Sequence, residues 1–344
     1  MDPVILSSNL TLGLLGLIFG GGLAYASIKF AVKSDPRIAM IVEFLPGANC
    51  GGCGFPGCQA FAEAVLKGEA PVTGCNPGGK ETADKIAKLL GVELGDMTPP
   101  VAMVRCQGGH GIAKDRFEYS GIQSCAIAHR TGGGHKACQY GCLGFGDCMR
   151  ACMFDAIKME NGLPVVDEDK CTACGACVRA CPRGLMKLIP VTQQVYVGCA
   201  SQDKGKAVKD VCSLGCIGCS LCAKVTPSGA IKMNGNLPEI DPSGTDLVIA
   251  VHKCPTKSLI DRVSVRAKVS IDTTCDGCTE CVKVCPIKGA IEGEPEKRHK
   301  VVFDKCIGCG ICIPVCPHQS IHAVGALGYQ DEILRRAPKK QPQS

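Results

Sequence analysis

The chain has no Trp, and aromatic residues make up only 4% of its 344 residues, so large apolar anchors for one wide core are scarce. Between Asp2 and Lys29 there is no charged residue at all. No GxxxxGK[ST] phosphate loop occurs. The single dinucleotide-like fingerprint, Gly52-x-Gly54-x-x-Gly57, holds Cys53 inside it and is closed by Cys58. A true fingerprint follows a strand and opens a helix within a βαβ unit. A nucleotide pocket is therefore excluded, and no flavin site is recognisable. The seven histidines, among them His110, His135 and His318, show no ligand spacing and read as solvated or structural. An apolar content of 46% excludes bulk disorder.

What the chain does have is 28 cysteines, 43 glycines and 21 prolines. It is too long for a short secreted disulfide scaffold. The composition instead implies several small, loop-rich units, each held together by cysteine chemistry.

The run Val4 to Ile28 is 25 residues of mostly Leu, Ile, Ala and Gly, and a membrane-spanning helix needs about 20 apolar residues. A single transmembrane anchor is expected. The alternative is a cleaved signal peptide at Ala24-Tyr25-Ala26, but the positive n-region of such peptides is missing. Lys29, Lys33 and Arg37 follow the run and place the remainder on the cytoplasmic face of the cell membrane. Gly16 and Gly20, extended by Gly21 and Gly22, would let another membrane helix approach closely. Thiols stay reduced in the cytoplasm, so the cysteines read as metal ligands.

Spacing separates zinc from iron–sulfur. The chain reads Cys275-x2-Cys278-x2-Cys281-x3-Cys285-Pro286 and then Cys306-x2-Cys309-x2-Cys312-x3-Cys316-Pro317. Zinc ribbons use pairs of CxxC knuckles. Three cysteines in a tight loop, with a fourth before proline, form the bacterial ferredoxin run, whose fourth cysteine ligates the other cluster. The crossed rule gives one [4Fe–4S] site on Cys275, Cys278, Cys281 and Cys316, and a second on Cys306, Cys309, Cys312 and Cys285.

A related pair lies at 138–182. Its second half, Cys171-x2-Cys174-x2-Cys177-x3-Cys181-Pro182, is regular. Its first half, Cys138-x3-Cys142-x5-Cys148-x3-Cys152, is not. The same rule assigns Cys138, Cys142, Cys148 and Cys181 to one cluster and Cys171, Cys174, Cys177 and Cys152 to the other. The stretch 199–260 repeats this pattern: Cys125-x12-Cys138-x3-Cys142 is matched by Cys199-x12-Cys212-x3-Cys216, and Ala-Ile-Lys-Met recurs at Ala156–Met159 and Ala230–Met233. In register, Thr226 replaces Cys152, and Gly244, Leu247 and Ala250 replace Cys171, Cys174 and Cys177. One complete ligand set is gone. A single cluster on Cys216, Cys219, Cys222 and Cys254 is expected, with Cys212 in place of Cys219 as the alternative.

The segment Cys50-x2-Cys53-x4-Cys58-x16-Cys75 suits one more [4Fe–4S] site, because glycines between the cysteines let backbone amides approach the inorganic sulfides. Zinc is the alternative there. That makes about six clusters. Cys106, Cys125, Cys199 and Cys212 are left over, either as buried free thiols near clusters or as a seventh cluster or an alternative ligand set. The formal charge of +6 changes sign once the clusters are counted, since each four-thiolate cubane adds about −2 and the total becomes about −6. A net positive protein is not expected, and nucleic-acid binding is not supported. Arg335, Arg336, Lys339 and Lys340 read as a solvated tail.

The anchor, the segment Leu45-Pro-Gly-Ala-Asn-Cys-Gly-Gly-Cys-Gly-Phe-Pro-Gly-Cys58, the Gly141-Cys-Leu-Gly-Phe-Gly-Asp-Cys148 segment and the serial ferredoxin runs together resemble the B-subunit family of the Rnf electron-transport complex. The resemblance covers essentially the whole chain. It implies a membrane complex that oxidises reduced ferredoxin and reduces NAD⁺, coupled to Na⁺ or H⁺ translocation, and able to run in reverse. In it the B subunit is the ferredoxin-facing electron carrier, with no substrate-binding catalytic site of its own, while NAD, flavin and the ion pathway belong to other subunits. A polyferredoxin subunit of another membrane hydrogenase or dehydrogenase is the competing reading. The expected class is α+β. Its order is a transmembrane anchor (1–34), a four-cysteine Fe–S domain (35–100), a connecting segment (101–135) and a two-cluster ferredoxin-like module (136–188). A one-cluster degenerate repeat (189–262), a second two-cluster module (263–325) and a basic tail (326–344) complete it.

Overall fold

Three copies of one small topology follow a helical N-terminal part in this structure, a computed structural model that describes residues 3–29, 35–95, 97–242, 244, 247–263 and 266–324. Lys33 and the basic tail lie outside the described residues. Helix α1 (Pro3–Lys29) contains a 19-residue stretch, Asn9–Ser27, apolar and long enough to cross a membrane, with its side chains exposed rather than buried in the protein.

Helix α2 (Pro36–Phe44) starts where Asp35 accepts a hydrogen bond from the Arg37 backbone N–H at 2.9 Å and Pro36 pre-sets the first turn. Helices α3 (Cys58–Leu66) and α4 (Gly79–Leu90) pack with it around the fully buried Ile41, Phe61 and Ile86. This small apolar centre holds the loops that carry Cys50, Cys53, Cys58 and Cys75.

The first ferredoxin copy runs through β1 (Pro100–Val104), α5 (Cys125–Arg130), α6 (Asp147–Arg150), β2 (Ile157–Glu160), β3 (Leu163–Val166), α7 (Ala176–Ala180) and β4 (Met186–Pro190). Strands β1 and β4 pair antiparallel, from Pro100 with Pro190 to Val104 with Met186. The outer strand of this copy therefore comes from residues read in the sequence as the domain boundary and connecting segment. The inner pair β2–β3 is a hairpin over Asn161-Gly162, both at positive φ (49° and 73°), the turn for which Asn-Gly is the favoured pair.

The second copy comprises β5 (Val195–Val197), α8 (Lys206–Val211), α9 (Leu221–Val225), β6 (Ile231–Asn234), β7 (Leu237–Ile240), α10 (Leu247–Lys253) and β8 (Leu259–Asp261). Strands β5 and β8 form its outer pair, β6 and β7 its inner hairpin. The repeated Ala-Ile-Lys-Met segments lead into β2 and β6, with Ile157 and Ile231 both buried. The third copy has β9 (Lys268–Ile271), α11 (Glu280–Val284), β10 (Ile291–Glu292), β11 (Lys300–Val301) and β12 (Ile321–Val324), with β9–β12 outside and β10–β11 inside. The architecture is α+β, built in series.

Candidate metal centres

Each copy encloses cysteines between its outer strand pair and its inner hairpin. In the third copy one cavity is lined by Cys275, Cys278, Cys281 and Cys316 together with His299, and another by Cys285, Cys306, Cys309 and Cys312. Both are the crossed sets that the sequence suggests. A third cavity is ringed by Cys50, Cys53, Cys58 and Cys75. The walls of these spaces are almost wholly apolar. Among the described residues no three His, Cys, Asp or Glu side chains converge to hold a single ion. A cubane places its irons at separate corners, so its four thiolates surround a volume instead of meeting at a point.

In the first copy Cys152, Cys171, Cys174 and Cys177 lie together, their thiolates close enough to repel one another. The Ala102 N–H of β1 donates to Cys171 Sγ at 3.5 Å. The neighbouring cavity is lined by Cys125, Cys142, Cys148 and Cys181. The sequence reading set Cys138 in this group; the structure sets Cys125 there. Asp147 explains the arrangement. Its Oδ2 accepts from the Ala126 N–H at 2.9 Å and from Ser124 Oγ at 3.0 Å, tying the start of α5 to the start of α6 and carrying Cys125 beside Cys148. Burial raises the Asp147 pKa, but these donors and Arg150 outweigh it and hold the carboxyl below its usual range. Cys138 does not line this cavity; its sulfur neighbours are Cys106 and Cys199, and its carbonyl oxygen accepts from Arg183 Nη1 at 3.0 Å and from the Gly141 N–H at 3.1 Å.

In the second copy Cys216, Cys219, Cys222 and Cys254 are neighbours. The position of the missing set is filled by side chains: Leu247, Ile249 and Ala250 are buried, and Leu247 and Ala250 pack with Val195, Ile231 and Leu259. Thr226, where the first copy has Cys152, is buried and its hydroxyl donates to the Cys222 carbonyl at 2.8 Å.

The residues fit iron–sulfur clusters chemically. All cysteines are free of disulfides. Backbone N–H groups aim at sulfurs, Leu185 at Cys181 (3.3 Å) and Ser320 at Cys316 (3.3 Å), a geometry that stabilises thiolate and tunes a cluster. Burial first, then repulsion from neighbouring sulfurs, pushes the thiols of Cys142, Cys177 and Cys312 up to about 12. Such groups ionise together only when a cationic core compensates them.

His299 is a residue the sequence spacing does not reveal. It is fully buried, its Nδ1 lies 3.8 Å from Cys275 Sγ, and its Nε2 has no partner.

The N-terminal site docks on the first copy. Asn76 Nδ2 donates to the Ala173 carbonyl at 3.1 Å, and a Cβ added at Gly52 would stand 2.5 Å from the Cys174 carbonyl oxygen. Only glycine permits that approach. The first and second copies are joined by the largely buried Arg262–Glu168 ion pair at 2.6 Å, with Arg262 also donating to the Gln193 carbonyl at 2.6 Å.

Serial ferredoxin folds carrying cysteine quartets define an iron–sulfur electron-transfer protein. Family models agree, matching an Fe-S cluster domain at residues 45–77, a 4Fe-4S binding domain at 164–187 and a 4Fe-4S dicluster domain at 267–323. The chain is 44% identical over 71% of its length to the B subunit of the Na(+)-translocating ferredoxin:NAD(+) oxidoreductase complex of Acetobacterium woodii, covering 74% of that protein. It is 44% identical over 75% of its length to the B subunit of the ion-translocating oxidoreductase complex of Methanosarcina acetivorans, covering 99% of it. The proton-translocating counterpart of Clostridium ljungdahlii is 45% identical over 72% of this chain and 88% of that protein. The chain belongs to the B-subunit family of the Rnf ion-translocating oxidoreductase complex. Nothing among these relatives favours a hydrogenase or another dehydrogenase.

Proposed function

We propose that this chain is the iron–sulfur electron-transfer subunit of a membrane-bound ferredoxin:NAD oxidoreductase complex coupled to Na⁺ or H⁺ translocation. It takes electrons from reduced ferredoxin at its C-terminal module and delivers them, through its N-terminal four-cysteine domain, to membrane partners. The observation that carries this reading is the docking of the Gly52 loop on the Cys174 carbonyl, which puts the N-terminal quartet against the first ferredoxin copy.

Bound [4Fe–4S] clusters supply reversible one-electron transfer at potentials set by their surroundings. The chain's own residues do the rest. Cys50, Cys53, Cys58 and Cys75 hold one cluster; Cys152, Cys171, Cys174 and Cys177 a second; Cys142, Cys148 and Cys181, with Cys125 in the place read for Cys138, a third. Cys216, Cys219, Cys222 and Cys254 hold a fourth, and the two sets in 275–316 the last pair. Apolar walls line the cavities at Cys50–Cys75 and in 275–316, and N–H donors to sulfur, such as those at Cys171, Cys181 and Cys316, tune the potential. Helix α1 anchors the protein as a single span with the soluble modules on the cytoplasmic side. In this reading NAD binding and the ion pathway fall to other subunits.

The test uses the assembled complex. Cys53→Ser is expected to leave the C-terminal sites reducible by ferredoxin while transfer onward to NAD⁺ stops; unchanged NAD⁺ reduction would refute the route.

A further inference from the structure

We propose that Cys106, Cys138, Cys199 and Cys212 bind a further [4Fe–4S] cluster, seated between the first and second ferredoxin copies. These residues come from four places: the end of β1, the loop before Cys142, the end of β5 and the end of α8. Cys106, Cys138 and Cys199 are buried, and Cys212 is half-buried.

The backbone brings them together. Ala113 and Cys212 form an antiparallel bridge, and the Lys114 N–H donates to the Val211 carbonyl at 2.9 Å. A Cβ placed at Gly108 would lie 3.5 Å from Cys106 Sγ and 3.7 Å from Cys212 Sγ, so the two sulfurs flank one point. Arg105 Nη2 donates to the Cys199 carbonyl at 3.4 Å, fastening Cys199 next to Cys106. Each pairing of the four thiolates is close enough for repulsion. Backbone donors point at the sulfurs here as in the other sites: Gly108 N–H to Cys106 Sγ at 3.3 Å, Cys142 N–H to the same sulfur at 3.4 Å, and Ser201 N–H to Cys199 Sγ at 3.4 Å. A neutral thiol is a weak acceptor, so these donors suit thiolates. A zinc ion needs four sulfurs about 2.3 Å from one point, and among the described residues no such convergence exists.

The internal repeat accounts for the grouping. Cys125 aligns with Cys199, Cys138 with Cys212, Cys142 with Cys216 and Cys148 with Cys222. Midway between the last two pairs the first copy has Phe145 and the second has Cys219. The second copy thus has its third local ligand in the loop, whereas the first completes its cavity with Cys125. Cys199 is released from the role of its counterpart and joins Cys138, Cys212 and Cys106. All 28 cysteines then fall into groups of four with none left over. The new site touches its neighbours on both sides, through the Cys142 N–H contact to Cys106 and the proximity of Cys199 to Cys216. Cys199 shares the second copy's apolar cluster with Cys216, Leu247 and Ala250.

The inference rests on the iron–sulfur reading, and its test separates the two. Anaerobically purified full-length protein is assayed for iron, acid-labile sulfide and zinc, with EPR spin integration after full reduction. The expected result is about 28 Fe and about seven spins per chain. The double variant Cys199→Ala/Cys212→Ala is expected to lose about four Fe, about four sulfides and about one spin, and to keep the remainder. About 24 Fe in the unaltered protein, with or without one zinc, or iron content unmoved in the variant, overturns the proposal and leaves the wider reading standing. Protein with zinc and little iron overturns both. If the variant fails to fold, the metal and spin count of the unaltered chain decides alone.

Discussion

Arg179 and Cys50 are 129 residues apart in the chain, yet Arg179 Nη2 donates to the Cys50 carbonyl oxygen at 3.0 Å. The same guanidinium donates through Nη1 to the Cys174 carbonyl at 3.3 Å. One planar fork thus clamps the N-terminal cysteine loop to the loop of the first ferredoxin copy, a task its rigid donors suit better than a lysine's.

That junction has a sensitive point. Gly52→Ala puts a Cβ 2.5 Å from the Cys174 carbonyl oxygen, where backbone meets backbone and neither side can rotate away. Overpacking of this kind costs about 1–3 kcal/mol. The expected outcome in the full complex is normal iron content with slowed NAD⁺ reduction, measured beside stopped-flow reduction of the clusters. Wild-type turnover would show that the contact is dispensable.

His299 faces Cys275 Sγ from within the apolar wall of its cavity. A ring N–H directed at a ligating sulfur favours the reduced, more negative cluster. His299→Phe is therefore expected to lower the midpoint potential of the Cys275–Cys316 site and leave the other sites in place. Redox-poised EPR reads this directly; an unmoved potential would assign His299 to packing alone.

Iron removal makes stability depend on alkaline pH. In the metal-free fold burial raises the thiols of Cys142, Cys177 and Cys312 from an ordinary 9.0 to about 12. The unfolded chain then releases these protons first, so the stability they contribute is full below pH about 9 and is lost as the pH rises toward about 12. The iron-stripped, reduced protein is expected to lose its remaining ellipticity across that window. The loaded protein, whose ligands are already thiolates, is expected to keep it. Circular dichroism against pH, recorded with and without iron, tests the contrast.

Arg262 ends the second copy and pairs with Glu168 of the first. Arg262→Ala leaves that largely buried carboxylate and the Val191 and Gln193 carbonyls without this donor, a loss of about 3–5 kcal/mol for a buried pair. The expected result is proteolytic cleavage between the two copies under conditions where the wild type resists; equal resistance would mean that the neighbouring contacts suffice.

The amino-acid order determines the ferredoxin runs, the repeat and the apolar N-terminal helix, because each depends on spacing within one loop, hairpin or helix. In the third copy each Cys-x2-Cys-x2-Cys run wraps one cavity, and Asn161-Gly162 turns its hairpin without outside help. Tertiary structure alone decides which isolated cysteines share a cavity. Asp147 brings Cys125 to Cys148, the Ala113–Cys212 bridge brings Cys212 toward Cys106, and Gly52 meets Cys174. These partners lie tens of residues or more apart, and no local periodicity records a contact made only after the copies have folded and packed.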